Sequence, residues 1–90
     1  MPTVASYSVQ STDLEVTYDV RGSNNMEITI GGAAVILRFA YRFTNVTGGL
    51  GLSETHGPKI LNLNNEAIDA VSVQSAHAGS PASVIIIGTT

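Results

Sequence analysis

The chain has no cysteine and no tryptophan, and its only lysine is Lys59. Without cysteine there can be no disulfide, the common support of a domain too small to build a large core. The same absence leaves the redox compartment unread. Charge is sparse: Asp, Glu, Lys and Arg make up 12% of the 90 residues, about half the usual ~25%. The few bases, Arg21, Arg38, Arg42 and Lys59, are scattered, and the net charge is −3. Nucleic acid requires a basic footprint that neutralises phosphates, so no nucleic-acid partner is expected. The lack of a basic cluster also excludes attachment to an anionic membrane. The longest apolar runs, residues 33–37 and 84–87, fall far short of the roughly 20 residues that a membrane helix needs. Met1-Pro2-Thr3-Val4 has neither the basic nor the apolar part of a secretion signal. It reads as an ordinary cytoplasmic start, so a place in a virion or another extracellular assembly would be reached without a signal peptide.

What the chain does have is alternation. Residues 14–21 place Leu14, Val16, Tyr18 and Val20 on one face and Glu15, Thr17, Asp19 and Arg21 on the other. A period of two marks a half-buried strand. Residues 4–10 repeat the pattern more weakly, with Ala5, Tyr7 and Val9 against Ser6, Ser8 and Gln10. Met26, Ile28 and Ile30 alternate with Glu27 and Thr29 after a turn at residues 22–25. Gly31-Gly32 suits a two-residue hairpin turn. Beyond it, Val35, Leu37, Phe39, Tyr41 and Phe43 share one face of the longest strand. Residues 14–43 therefore read as a three-stranded antiparallel meander. Its register would set Asp19 opposite Glu27, with Arg38 diagonal to Glu27, inside a surface network of Glu15, Asp19, Glu27, Arg38 and Arg42.

The second half is less regular. Residues 44–58 are loop-like around Gly48-Gly49-Leu50-Gly51, with room for a short strand at 50–55, and Lys59 opens another strand through Ile60, Leu61 and Leu63. Residues 65–78 carry two patterns. Asn65, Glu66, His77 and Gly79 fit the caps of a short helix, whereas Val71 and Val73 alternating with Ser72 and Gln74 fit a turn followed by a strand over 68–75. After a turn at residues 78–81, the run Val84, Ile85, Ile86 and Ile87 reads as a strand buried on both faces. The expected fold is all-β in a single domain, residues 1–90. It is a small antiparallel β-sandwich, jelly roll or barrel of about seven or eight short strands, with one short helix near 65–78 as the alternative there.

Chemical constellations are thin. His56 and His77 stand 21 residues apart with Glu54 near the first, and this matches no zinc spacing. Asp19 and Glu27 offer too few oxygens for calcium. The glycine-rich stretch at 48–51 has neither the lysine nor the helix of a phosphate loop. Asn45-Val46-Thr47 fits the glycosylation pattern by chance, given the missing signal. No catalytic, cofactor or metal residue is assigned, no cofactor is expected, and an enzyme is not expected.

The function expected from these features is a structural subunit of a homo-oligomeric assembly, of the virion decoration, capsid-associated, tail or filament type. Its partner is another copy of itself or a larger protein scaffold. The interface is assigned to Val84, Ile85, Ile86 and Ile87, because an apolar strand on an open edge invites pairing with another chain, so this one either lies centrally in its sheet or is covered by a partner. The alternative is a small lectin-like module that binds a glycan by stacking it on Tyr7, the tyrosine expected to be exposed.

Overall fold

The computed structural model describes residues 2–43 and 49–90. Eight strands run through them: β1 (Thr3–Gln10), β2 (Val16–Ser23), β3 (Asn25–Gly31), β4 (Val35–Tyr41), β5 (Glu54–His56), β6 (Lys59–Leu63), β7 (Ile68–Ser75) and β8 (Ser83–Thr89). No helix occurs among the described residues, so residues 65–78 resolve as a turn and then a strand. Asn65 makes that turn with φ at 59°, a left-handed conformation that asparagine tolerates better than most residues.

The strands form two antiparallel four-stranded sheets, ordered β1-β8-β3-β6 and β2-β7-β4-β5. Each strand in the first half of the chain pairs with its mirror in the second half: β1 with β8, β2 with β7, β3 with β6 and β4 with β5. The chain is thus one long ribbon folded back on itself and rolled into two layers, which is the order of a jelly roll.

This order overturns the meander expected for residues 14–43. β2, β3 and β4 do not pair with one another; successive strands lie in opposite sheets. Gly32 turns the chain after β3, and Gly22 lies inside β2 where its register with β7 shifts, both at positive φ; the connections cross the sandwich rather than close hairpins. Asp19 pairs with Ala70, and Glu27 lies between Ile87 and Asn62. The two acids therefore do not face each other, and Arg38 is not diagonal to Glu27. The physical reason lies in β8. Its inward residues Val84 and Ile86 are fully buried, and it occupies the middle of its sheet between β1 and β3. β3 spends its two edges on β6 and β8 and has none left for β2 or β4.

The core lies between the layers. Met26, Ile28, Ile30, Val84 and Ile86 project from one sheet toward Val20, Val35, Leu37, Phe39, Ile68, Val71 and Val73 of the other. Each fully buried aliphatic side chain contributes about 1.5–3 kcal/mol relative to exposure. The total accessible surface is 4982 Å² for 9.4 kDa, close to the ~5,000 Å² of a compact chain of this mass. Gly88 admits no side chain, since a β-carbon there would fall on the Ser23 hydroxyl. That hydroxyl is buried and has no hydrogen-bond partner among the described residues.

The ends of two expected strands also move. Leu14 lies before β2 and is 78% exposed, and Phe43 lies beyond β4 and is 85% exposed. The alternation read from sequence continues past the point where each strand has neighbours to bury it.

Candidate functional site

The outer face of the β1-β8-β3-β6 sheet follows from its register. Directly opposed residues point to the same side of a sheet. One row across the four strands is therefore Ser8, Ile85, Thr29 and Ile60, and the next is Ser6, Ile87, Glu27 and Asn62. Ile60 is 59% exposed and Ile85 39% exposed. Glu27 is the sole charged residue in these two rows and, among the described residues, takes part in no ion pair. Beside it is a shallow depression of about 300 Å³ reached by Ile87, Asn62, Asn64 and Thr89.

The interface assigned to Val84, Ile85, Ile86 and Ile87 divides here. Val84 and Ile86 point into the core, whereas Ile85 is exposed and Ile87 half-buried on the outer face. The strand is therefore not buried on both faces, as the apolar run suggests. Nor is it an open edge, because β1 and β3 cover both of its sides.

The outer face of the β2-β7-β4-β5 sheet is built differently. Arg38 on β4 donates through Nε to the Gly51 carbonyl at 2.9 Å and through Nη1 to both oxygens of Glu15 at 3.2 Å. The buried Ser72 hydroxyl on β7 donates to Glu15 at 2.8 Å. Toward the other end, Asp69 is an extra residue in β7, because Ala40 pairs with Ala70 and Tyr41 with Ile68. Such a bulge re-aims a side chain, and Asp69 accepts the Nε proton of Arg42 at 3.1 Å. Of the network expected from sequence, the Arg38–Glu15 pair is present, Arg42 instead takes Asp69, and Asp19 and Glu27 stand outside it. Asp19 accepts the backbone N–H of Arg21 at 2.9 Å.

Tyr7 is half-buried and not the free ring that a glycan platform would use. Its hydroxyl donates to the Asp19 carbonyl at 2.7 Å, and its ring lies 5.0 Å from that of Tyr18. The two tyrosines close the side of the sandwich where β1 and β2 meet. Burial, followed by the charges of Glu66 and Glu54, raises the Tyr41 hydroxyl above its ordinary pKa.

His56 and Glu54 lie 3.2 Å apart on β5, and His77 is exposed in the β7–β8 loop. Among the described residues no three His, Asp or Glu side chains are grouped to hold a metal ion. The Asn45-Val46-Thr47 motif and Gly48 lie outside the described residues. No family model matches this chain, and no curated protein or solved structure matches it either. The functional reading therefore rests on the surfaces alone.

Two exposed features escaped sequence reasoning. Ile60 belongs to a strand that reads as partly apolar, and only its pairing with Thr29 shows that it faces outward. Phe43 continues the alternation of β4, and only the end of β4 at Tyr41 reveals it as a surface ring.

Proposed function

We propose that this protein is a non-enzymatic structural subunit that packs against copies of itself or a larger protein scaffold, in a decoration, capsid-associated, tail or filament role. The observation that supports this reading is the outer face carrying Ile60, Ile85 and Ile87, with Thr29 between Ile85 and Ile60, Ser6 and Ser8 flanking on β1, and Glu27 as the lone charge of these rows. Small neutral side chains give up little hydration when another surface covers them, and interface cores are depleted of charge in the same way. Four strands about 4.8 Å apart and about 23 Å long give a flat footprint of roughly 450 Å². A standard stable complex buries about 800 Å² of accessible surface per partner. A contact of this size is weak alone and becomes strong when repeated around a symmetric assembly. The jelly-roll order adds support by analogy only, because that architecture serves capsid, lectin and cupin domains alike.

Sedimentation velocity at micromolar concentration tests the proposal. The expected result is a species several times heavier than 9.4 kDa, reduced to monomer by the double variant Ile60→Lys/Ile85→Lys. A wild-type protein that stays monomeric at all accessible concentrations, and binds no scaffold through this face, overturns it.

A further inference from the structure

We infer that the end of the sandwich bearing Phe43 is a binding site for a neutral saccharide. The inference stands apart from self-assembly and does not rest on it. Four segments meet at this end: the β2–β3 turn, the exit of β4, the β6–β7 turn and the residues after β8. They are joined by main-chain bonds from the Asn24 N–H to the Thr89 carbonyl (2.8 Å), the Glu66 N–H to the Asn24 carbonyl (3.0 Å) and the Arg42 N–H to the Ala67 carbonyl (2.8 Å). Between them is a depression of about 490 Å³ lined by Asn24, Asn25, Phe43, Asn65, Ala67 and Thr90. That volume lies within the roughly 300–1,000 Å³ typical of small-molecule sites.

Phe43 supplies the platform. Phe43 is 85% exposed, so an aromatic side chain, the kind that packs against a ligand's apolar face, stands open at the depression. The Arg42 guanidinium carbon sits 5.9 Å from the ring centroid, and the remaining exposure leaves ring surface open to a ligand. Arg42 is itself fixed by Asp69 at 3.1 Å, the Ser23 carbonyl at 3.3 Å and the Asn24 side-chain oxygen at 3.3 Å. The ring is therefore placed by a residue with little freedom to move, which lowers the ordering cost of binding.

The asparagines decide the ligand class. Arginine only donates, so the Asn24 side chain must turn its oxygen toward Arg42, which leaves its NH₂ to donate elsewhere. The Asn25 oxygen accepts the Asn65 N–H at 3.1 Å, and its NH₂ donates to the Thr90 carbonyl at 3.2 Å. Those bonds hold the Asn65 backbone in its left-handed turn and leave its side-chain amide exposed as both donor and acceptor. Sugar hydroxyls also donate and accept, and the C–H face of a pyranose ring packs on an aromatic ring. The positive charge of Arg42 is already matched by Asp69, so nothing here favours an anionic sugar. The glycan reading survives in a new place: its aromatic ring is Phe43 instead of Tyr7.

The test is an NMR titration of ¹⁵N-labelled protein with glucose, galactose, mannose and N-acetylglucosamine, with glucuronate as the anionic control. At least one neutral sugar is expected to give saturable shifts with Kd on the order of 1 mM, centred on the amides of Asn24, Phe43, Asn65, Ala67 and Thr90. Phe43→Ala is expected to weaken binding tenfold or more. Asn65→Gly, which keeps the left-handed turn and removes only the amide, should weaken it severalfold. Both positions are exposed, and an unchanged spectrum elsewhere shows that the variants fold. The site is overturned if no neutral sugar gives saturable shifts, or if the shifts ignore Phe43→Ala. Tighter binding of glucuronate than of any neutral sugar overturns the ligand class. Shifts at Phe43 that track protein concentration alone would make the ring a contact between copies and also overturn it.

Discussion

Outside the β2-β7-β4-β5 sheet, Arg38 is tied to Glu15 and to the Gly51 carbonyl, Ser72 supports Glu15, and Arg42 holds Asp69. Outside the β1-β8-β3-β6 sheet, equivalent central positions hold Ile85, Ile87, Thr29 and Glu27, which makes no ion pair among the described residues. Both faces are outward sides of alternating strands, yet one carries its own polar cover and the other does not. Strand alternation therefore determines only that a residue leaves the core. Whether it then meets water, a loop or another subunit depends on what the rest of the fold brings beside it. A partner would gain most at the bare face, because among the described residues it has neither ion pairs to break nor a loop to displace.

The sharpest way to break this comparison uses neighbouring residues on one strand. Ile86→Ala empties a fully buried site and is expected to cost about 2–5 kcal/mol of stability. Ile85→Ala, on the bare face, should cost about 1 kcal/mol or less in the monomer. Urea denaturation of the two variants measures the difference, and equal losses would mean that the inside and outside of β8 are misassigned. Next in size is Gly88→Ala, expected to cost about 1–3 kcal/mol by forcing β8 away from Ser23. Double substitution with Ser23→Gly should recover much of that loss; failure to do so would place the conflict elsewhere. The smallest effect compares the faces directly. Arg38→Met should cost about 1 kcal/mol, since its ion pair is a third exposed, while Glu27→Gln should change stability by less than about 0.5 kcal/mol. Raising the salt concentration should shrink the first effect and leave the second unchanged.

Much of the local structure was legible. Residues 68–75 alternate as a strand and form β7 with those limits, and residues 26–30 lie within β3 with Met26, Ile28 and Ile30 inward as read. Errors cluster where alternation outruns burial. Leu14 and Phe43 continue the apolar pattern of their strands and are nevertheless exposed. Arg38 and Glu15 were legible only as members of one charged surface network; the partner read for Arg38, Glu27, lies in the other sheet, and the Arg38–Glu15 pair reaches across β7. The candidate saccharide site was not legible, because Asn24, Phe43, Asn65 and Thr90 are separated along the chain and meet only where four segments end together.

The sequence by itself determined that these are strands, where most of them turn, and which side of β1 to β4 is apolar. These properties follow from residues within a few positions of one another, through side-chain alternation and the backbone freedom of Gly22 and Gly32. The tertiary structure decided which strands are neighbours. A turn specifies that the chain reverses, not whether it reverses beside itself or across the core. That choice was made by long-range competition, in which β8 takes the centre of its sheet and bars β3 from pairing with β2 or β4. The bare isoleucine face and the Phe43 corner are both products of that arrangement.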